Sequence, residues 1–300
     1  MINQLSRGER LYFWLAGLTA ALVLLLIILG AVVRVTDAES GCGGTWPLCD
    51  GSPWPSGSNE LAWIDWAHRL NTLFTVLSIF GACYAARRFI RDRKDVTTPL
   101  YLGLGLLGIQ SVLGAGTMLL HEPSTLPLVH LGFAVIMLSC LVASITALLY
   151  QPHTHIFYSD KFSTAVQGAT LMIFMVLMTG ALVVGSESSK VCPTWPLCRD
   201  TASEAAIINL IHRGSVLLLG ITLLSLVWQV DRSYDQVSFT GAVVLLALYG
   251  LQVALGALYI LSDFHASLSA LHVTTAGLMW AAAVALNVVL VKQQQVVEQG

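Results

Sequence analysis

Apolar runs long enough to cross a bilayer follow one another along nearly the whole chain. About 20 apolar residues make a spanning helix, and eight stretches qualify: 11–33, 66–86, 98–120, 128–150, 163–185, 206–229, 238–261 and 268–291. They divide four and four around a polar join at 151–161. The expected fold is all-α and polytopic, with two duplicated four-helix bundles at 1–150 and 163–300 and a linker at 151–162. The first run follows Arg7 and Arg10 as a signal peptide would. It is long enough to span, and no small-residue cleavage site precedes the next polar stretch, so it reads as a retained first span. The tail after the eighth run, KQQQVVEQG, is polar and expected to fray.

Composition agrees. The 300 residues are 56% hydrophobic and 11% charged, against about 25% charged in soluble domains, and the mean hydropathy is +0.74. Several of the 8 tryptophans stand where apolar runs end, among them Trp46, Trp54, Trp63, Trp66 and Trp195, as at a membrane interface. The net charge of −2 says little; the placement of charge says more. Arg7, Arg10, Arg87, Arg88, Arg91, Arg93, Lys94, Lys161, Arg232 and Lys292 fall on one side. The other side holds Lys190 and Arg199, but also Asp37, Glu39, Asp50, Glu60, Glu122, Glu187, Glu204 and Asp263. The positive-inside rule puts both termini in the cytoplasm of a multi-pass plasma-membrane protein. The long loops at 34–64 and 186–205 then face outward. Nothing in this charge pattern addresses a nucleic acid.

The halves repeat each other. CGGTWPLC at Cys42 answers CPTWPLC at Cys192, and DWAHRLNTLF answers NLIHRGSVLL. IQSVLGAG answers LQVALGAL, and PLVHLGFAV answers SALHVTTAG. His68 and His212 are 144 residues apart, and His130 and His272 are 142 apart.

Each of these four histidines enters an even-numbered span near its outer end. A histidine in lipid needs partners for its nitrogens. One alone reads as cross-helix packing glue; four in matching places read as ligands. Two imidazoles from two helices supply both axial ligands of a haem iron, so His68 with His130 and His212 with His272 form two candidate sites. Zinc or copper needs a denser ligand set. His121 and His265 lie in outer loops at the repeat offset and are kept as pocket-edge groups, while His153 and His155 read as linker residues.

Arg69 and Arg213 directly follow the first histidine of each half. A guanidinium there either pairs with an anion such as a haem propionate or reaches lipid headgroups. Asp65 lies one turn before His68, where the second half has Asn209. Only the first half therefore has a carboxylate beside its histidine, suited to acid–base work or simply to a helix N-terminus. Glu60 is the competing acid. Gln110 and Gln252 recur in the glycine-rich spans 3 and 7 and are expected to hydrogen-bond across helices or meet a ligand.

The cysteine spacings, Cys42 with Cys49 and Cys192 with Cys198, suit small disulfide loops on an oxidising face. A redox-active pair and a thiolate metal site are the alternatives. Cys83 and Cys140 lie within spans as small hydrophobes.

Together the eight spans, the duplicated His-Arg halves, the WPLC loops and the four histidines resemble the haem A synthase family, from Leu11 to about Val291. The resemblance implies an oxidoreductase that converts the C8 methyl of haem O to a formyl group through an alcohol and a geminal diol. It implies two four-helix units, with His68 and His130 at the substrate haem and His212 and His272 on a haem b cofactor and its iron. It also implies disulfides at Cys42–Cys49 and Cys192–Cys198. Haem O synthase and terminal-oxidase assembly factors are the implied partners, beside an electron acceptor without a name. The family has a glutamate three residues before the first-half histidine; this chain has Asp65, one methylene shorter. The competing class is a bis-histidine dihaem electron-transfer protein. A transporter lacks broken helices here, and a prenyltransferase lacks its aspartate-rich pair.

Overall fold

The computed structural model describes residues 2–43, 48–119, 125–151, 160–186, 188–198, 203–230 and 236–298. Eight helices long and apolar enough to cross a membrane form on the eight apolar runs. They are α1 (Arg7–Val35), α2 (Glu60–Phe89), α3 (Lys94–Leu119), α4 (Thr125–Leu149), α5 (Asp160–Gly185), α6 (Glu204–Gln229), α7 (Gln236–Leu261) and α8 (Ala266–Val297). No strand occurs among the described residues.

The helices start before their apolar runs, and polar caps fix three of the starts. Ser6 and Glu9 form a reciprocal capping box at α1, satisfying two otherwise orphan backbone donors. Asn59 accepts from the Ala62 amide at α2, and Ser203 accepts from the Ala206 amide at α6. α2 consequently begins six residues before the run at 66, and Asp65 lies inside it. The expectation of a frayed tail is corrected: α8 continues to Val297. Its polar end docks on the first half. Lys292 Nζ donates to the Ala147 carbonyl at 2.8 Å and to Asp95 at 2.9 Å, and buried Gln293 donates to the Tyr150 hydroxyl at 2.9 Å.

Within each half the helices form a closed ring, α1–α2–α3–α4 and α5–α6–α7–α8, each packing on its neighbours and the last on the first. α1 and α4 meet α5 and α8 between the halves. Exchanging equivalent helices turns the α1–α8 contact into α5–α4, and both are made. One core cluster runs through all eight helices, from Tyr12 and Ile79 to Leu223 and Met279.

Sparse polar ties fix helix register in this apolar core. Tyr12 bonds Ser144, whose hydroxyl meets the Val96 carbonyl. Thr19 meets Ser78 at 2.8 Å. Trp280 Nε1 donates across the halves to Val135 O and Ser139 Oγ, and Arg34 reaches the Gly185 carbonyl at 3.4 Å. Such ties contribute about 0.6 kcal/mol each in lipid. Outward faces stay apolar: Leu73, Phe74, Leu77, Phe80 and Tyr84 form an exposed stripe on α2. That is a lipid-facing surface.

Candidate functional site

All four repeated histidines lie in the first turns of α2, α4, α6 and α8, so they gather at one end of the bundle. His130 lies within electrostatic reach of His68, and His212 within that of His272. Each ring rests over a glycine of the preceding helix. A Cβ added at Gly180 on α5 would come 3.0 Å from His212 Cε1, and one at Gly256 on α7 would come 3.0 Å from His272 Cε1. The first-half clearances are wider, 3.6 Å from Gly30 on α1 to His68 Nε2 and 3.4 Å from Gly114 on α3 to His130 Cε1. At Gly180 and Gly256 a Cβ would crowd the ring, whereas at Gly30 and Gly114 it would make only ordinary contact.

Several buried polar atoms here lack a protein partner: His130 Nδ1, His272 Nδ1, Gln110 Oε1 and Gln252 Oε1. Gln110 precedes Gly114, and Gln252 precedes Gly256, by four residues, so each glutamine shares a helix face with the glycine under a histidine. The cross-helix bond expected of these two glutamines is not made by Oε1. The two glutamine Oε1 atoms, orphaned in matching places of both halves, are positions that a ligand would complete. Among the described residues there is no group of three or more His, Cys, Asp or Glu. The donor set is two imidazoles per half, which fits a haem iron.

Around these pairs the charged residues grip the cysteine loops. Asp65 and Arg69 form an ion pair at 2.8 Å with side chains 9% and 8% exposed. Arg69 Nε also donates to Asp65 Oδ1 at 3.1 Å. Asp65 Oδ2 accepts from the Cys42 amide at 3.2 Å, and Arg69 Nη1 donates to the Leu48 carbonyl at 2.7 Å. In the second half Asn209 donates to the Ser188 carbonyl at 2.6 Å. Arg213 donates to the carbonyls of Thr194, Pro196 and Cys192 at 2.7, 2.9 and 3.0 Å. The guanidinium that follows each histidine is thus aimed at loop backbone. Gly41 makes the first loop's close approach feasible, since a Cβ there would run into the Leu61 carbonyl.

The sulfurs of Cys42 and Cys49, and of Cys192 and Cys198, lie at bonding distance, with Cα–Cα separations of 4.3 and 5.1 Å. Cys83 and Cys140 are unpaired. Trp54, Trp63 and Trp66 cluster at the start of α2, and Trp66 donates to the Pro53 carbonyl at 2.9 Å.

Glu60 is not brought to the histidines. It is exposed in the first turn of α2, eight residues and about 12 Å along the helix from His68. Glu204 occupies the same place in α6, and acids there favour the helix dipole. His265 caps α8 at the surface, 2.9 Å from Ser267 Oγ. His121, His153, His155, Trp46, Arg199 and Arg232 lie outside the described residues. Sequence reasoning missed Gly30 and Gly180 under the histidines; the signal was the shared GAVV and GALV that follow the same point of α1 and α5.

Residues 13–284 match the family model COX15-CtaA, described as "Cytochrome oxidase assembly protein". The chain is 28% identical over 271 residues to a heme A synthase of Macrococcus caseolyticus, covering 86% of this chain and 90% of the relative. It is 27% identical over 273 residues to a heme A synthase of Lysinibacillus sphaericus, covering 86% and 88%. A heme A synthase of Bacillus cereus is 25% identical over 276 residues, covering 88% of each chain.

Proposed function

Because the chain belongs to the COX15-CtaA family of cytochrome oxidase assembly proteins, we propose that it is a haem A synthase, an integral membrane oxidoreductase that converts haem O to haem A. The observation that carries this reading is the pair of imidazoles at one end of each four-helix ring, each ring seated on a glycine. In the reaction the C8 methyl gains a hydroxyl, then a second one to give a geminal diol, and loss of water leaves the formyl group. Each of the two oxidations takes its hydroxyl oxygen from water and releases two electrons and two protons, the electrons passing to an acceptor outside this chain; the water lost from the diol balances one of the two taken up.

The halves divide this work. His212 and His272 hold haem b, which supplies one-electron transfer when bound. His68 and His130 receive haem O as substrate at the first half, residues 1–150; residues 163–300 form the cofactor half. Asp65 is the one carboxylate beside a histidine pair. Through Arg69 and the Cys42 amide it positions the first cysteine loop at the rim of the substrate site. Arg69 and Arg213 stand at the rims of the two sites, where haem carboxylates are the anions a guanidinium pairs with. The disulfides Cys42–Cys49 and Cys192–Cys198 hold those rims in shape. Both termini are cytoplasmic, and the cysteine loops face outward across a prokaryotic cell membrane. Haem O synthase and oxidase assembly factors are the partners such a substrate and product require.

The test is haem extraction from membranes of a host that supplies haem O, with and without this protein, followed by chromatography and mass determination. Haem A appears only with the protein, and His68→Ala abolishes it. Bound haem b with haem O unchanged, even after addition of native membrane extract, would overturn the enzyme in favour of an electron carrier.

A further inference from the structure

The four histidines do not have equal surroundings. His212 Nδ1 lies 3.1 Å from Thr179 Oγ1. The same hydroxyl donates to the Val176 carbonyl of its own helix, also at 3.1 Å. A hydroxyl has one proton. With that proton on the carbonyl, Thr179 offers His212 a lone pair, and the Nδ1–H donates to it. The imidazole is thereby held as the Nδ1–H tautomer, and Nε2 keeps the lone pair that a metal takes. Gly180, the next residue, lets the ring approach α5 closely. Ser215 closes the arrangement, 3.5 Å from Thr179 Oγ1 and donating to the His212 carbonyl at 2.8 Å.

The first half has none of this. Gly30-Ala31 aligns with Gly180-Ala181, so the counterpart of Thr179 is Leu29. Asn71 stands where Ser215 does, and it donates to the Leu22 carbonyl. Among the described residues the His68 ring has no hydrogen-bond partner.

We propose that Thr179 is a positioning residue that fixes His212 as the permanent axial ligand of the cofactor half, whereas Leu29 leaves His68 free to turn away in the substrate half. This rests on the assignment of haem b to His212 and His272. A ligand's outer hydrogen bond sets its orientation and basicity, and losing it weakens metal affinity about 10- to 100-fold. One such bond, on His212, favours retention of a resident cofactor; a substrate that must be released has no use for it.

The experiment uses the full-length protein purified in detergent. Haem b transfer to excess apomyoglobin is timed, and the low-spin electron paramagnetic resonance signal and midpoint potential are recorded. Thr179→Val loses haem b about 10- to 100-fold faster, with a displaced low-spin signal and potential. Thr179→Ser, which keeps the hydroxyl, stays near wild type. Leu29→Thr, which leaves the second half untouched, slows loss of the first-half haem. Wild-type transfer rate, signal and potential in Thr179→Val would overturn the proposal; if that variant fails to fold, unchanged first-half retention in Leu29→Thr would do so. Failure of the underlying assignment reads differently: His212→Ala would then bind haem b as wild type does.

Discussion

At the His-Arg turn the two halves use the same fold with different chemistry. In the first, a buried carboxylate and guanidinium pair with each other and with the Cys42–Cys49 loop. In the second, the carboxylate is replaced by Asn209, and three loop carbonyls take the arginine instead. Below the turn the contrast reverses: His212 is anchored and closely seated, and His68 is neither. One half therefore secures its rim electrostatically and leaves its histidine loose. The other has a neutral carboxamide at that place and a fixed histidine. Two similar four-helix rings thus differ in the side chains around their histidines and not in their helices.

Removing Asp65 has the largest predicted effect on this contrast. Taking one partner from a buried ion pair costs about 3–5 kcal/mol, so Asp65→Ala should destabilise the first half by that much. Asn209→Ala, which removes neutral hydrogen bonds, should cost about 1–3 kcal/mol. Denaturation in detergent of the two variants measures the gap, and equal losses would contradict an electrostatic rim peculiar to the first half. The glycines come next, with opposite signs in the two halves. Gly180→Ala and Gly256→Ala force a methyl against a histidine ring, and overpacking of this kind costs about 1–3 kcal/mol. Gly30→Ala and Gly114→Ala meet only ordinary contact and gain about 0.5–1 kcal/mol from helix propensity. Melting temperatures that fall in both halves alike would erase the distinction. The smallest effect is at the opposite end, where Lys292 meets the partly exposed Asp95. Lys292→Met should cost about 1 kcal/mol or less, with the haem signals of both halves unchanged; a selective change in one would show that this contact is coupled to a site.

Much of this was legible in the sequence. Apolar run length placed eight helices, because lipid leaves the backbone few alternatives. The repeat matched each histidine of one half to one of the other, since they stand at equivalent positions of equivalent helices. What stayed hidden depends on which surfaces meet. Arg69 and Arg213 could be seen to need an acceptor, but the loop carbonyls that serve lie 17–21 residues away in irregular backbone. The polar end of α8 looked frayed because the carbonyls that hold Lys292 belong to α4 and the residue beyond it. Thr179 against Leu29 is a plain difference between aligned repeats, yet only the packing of α5 on α6 shows that it faces a histidine.

The central claim is that the second half holds the resident haem and the first half the substrate. The most direct measurement is the haem inventory of two double variants purified from a haem-O-supplying host. His68→Ala with His130→Ala should keep haem b and its low-spin signal while making no haem A, and His212→Ala with His272→Ala should lose haem b. Loss of haem b from the first variant and its retention in the second would contradict the account.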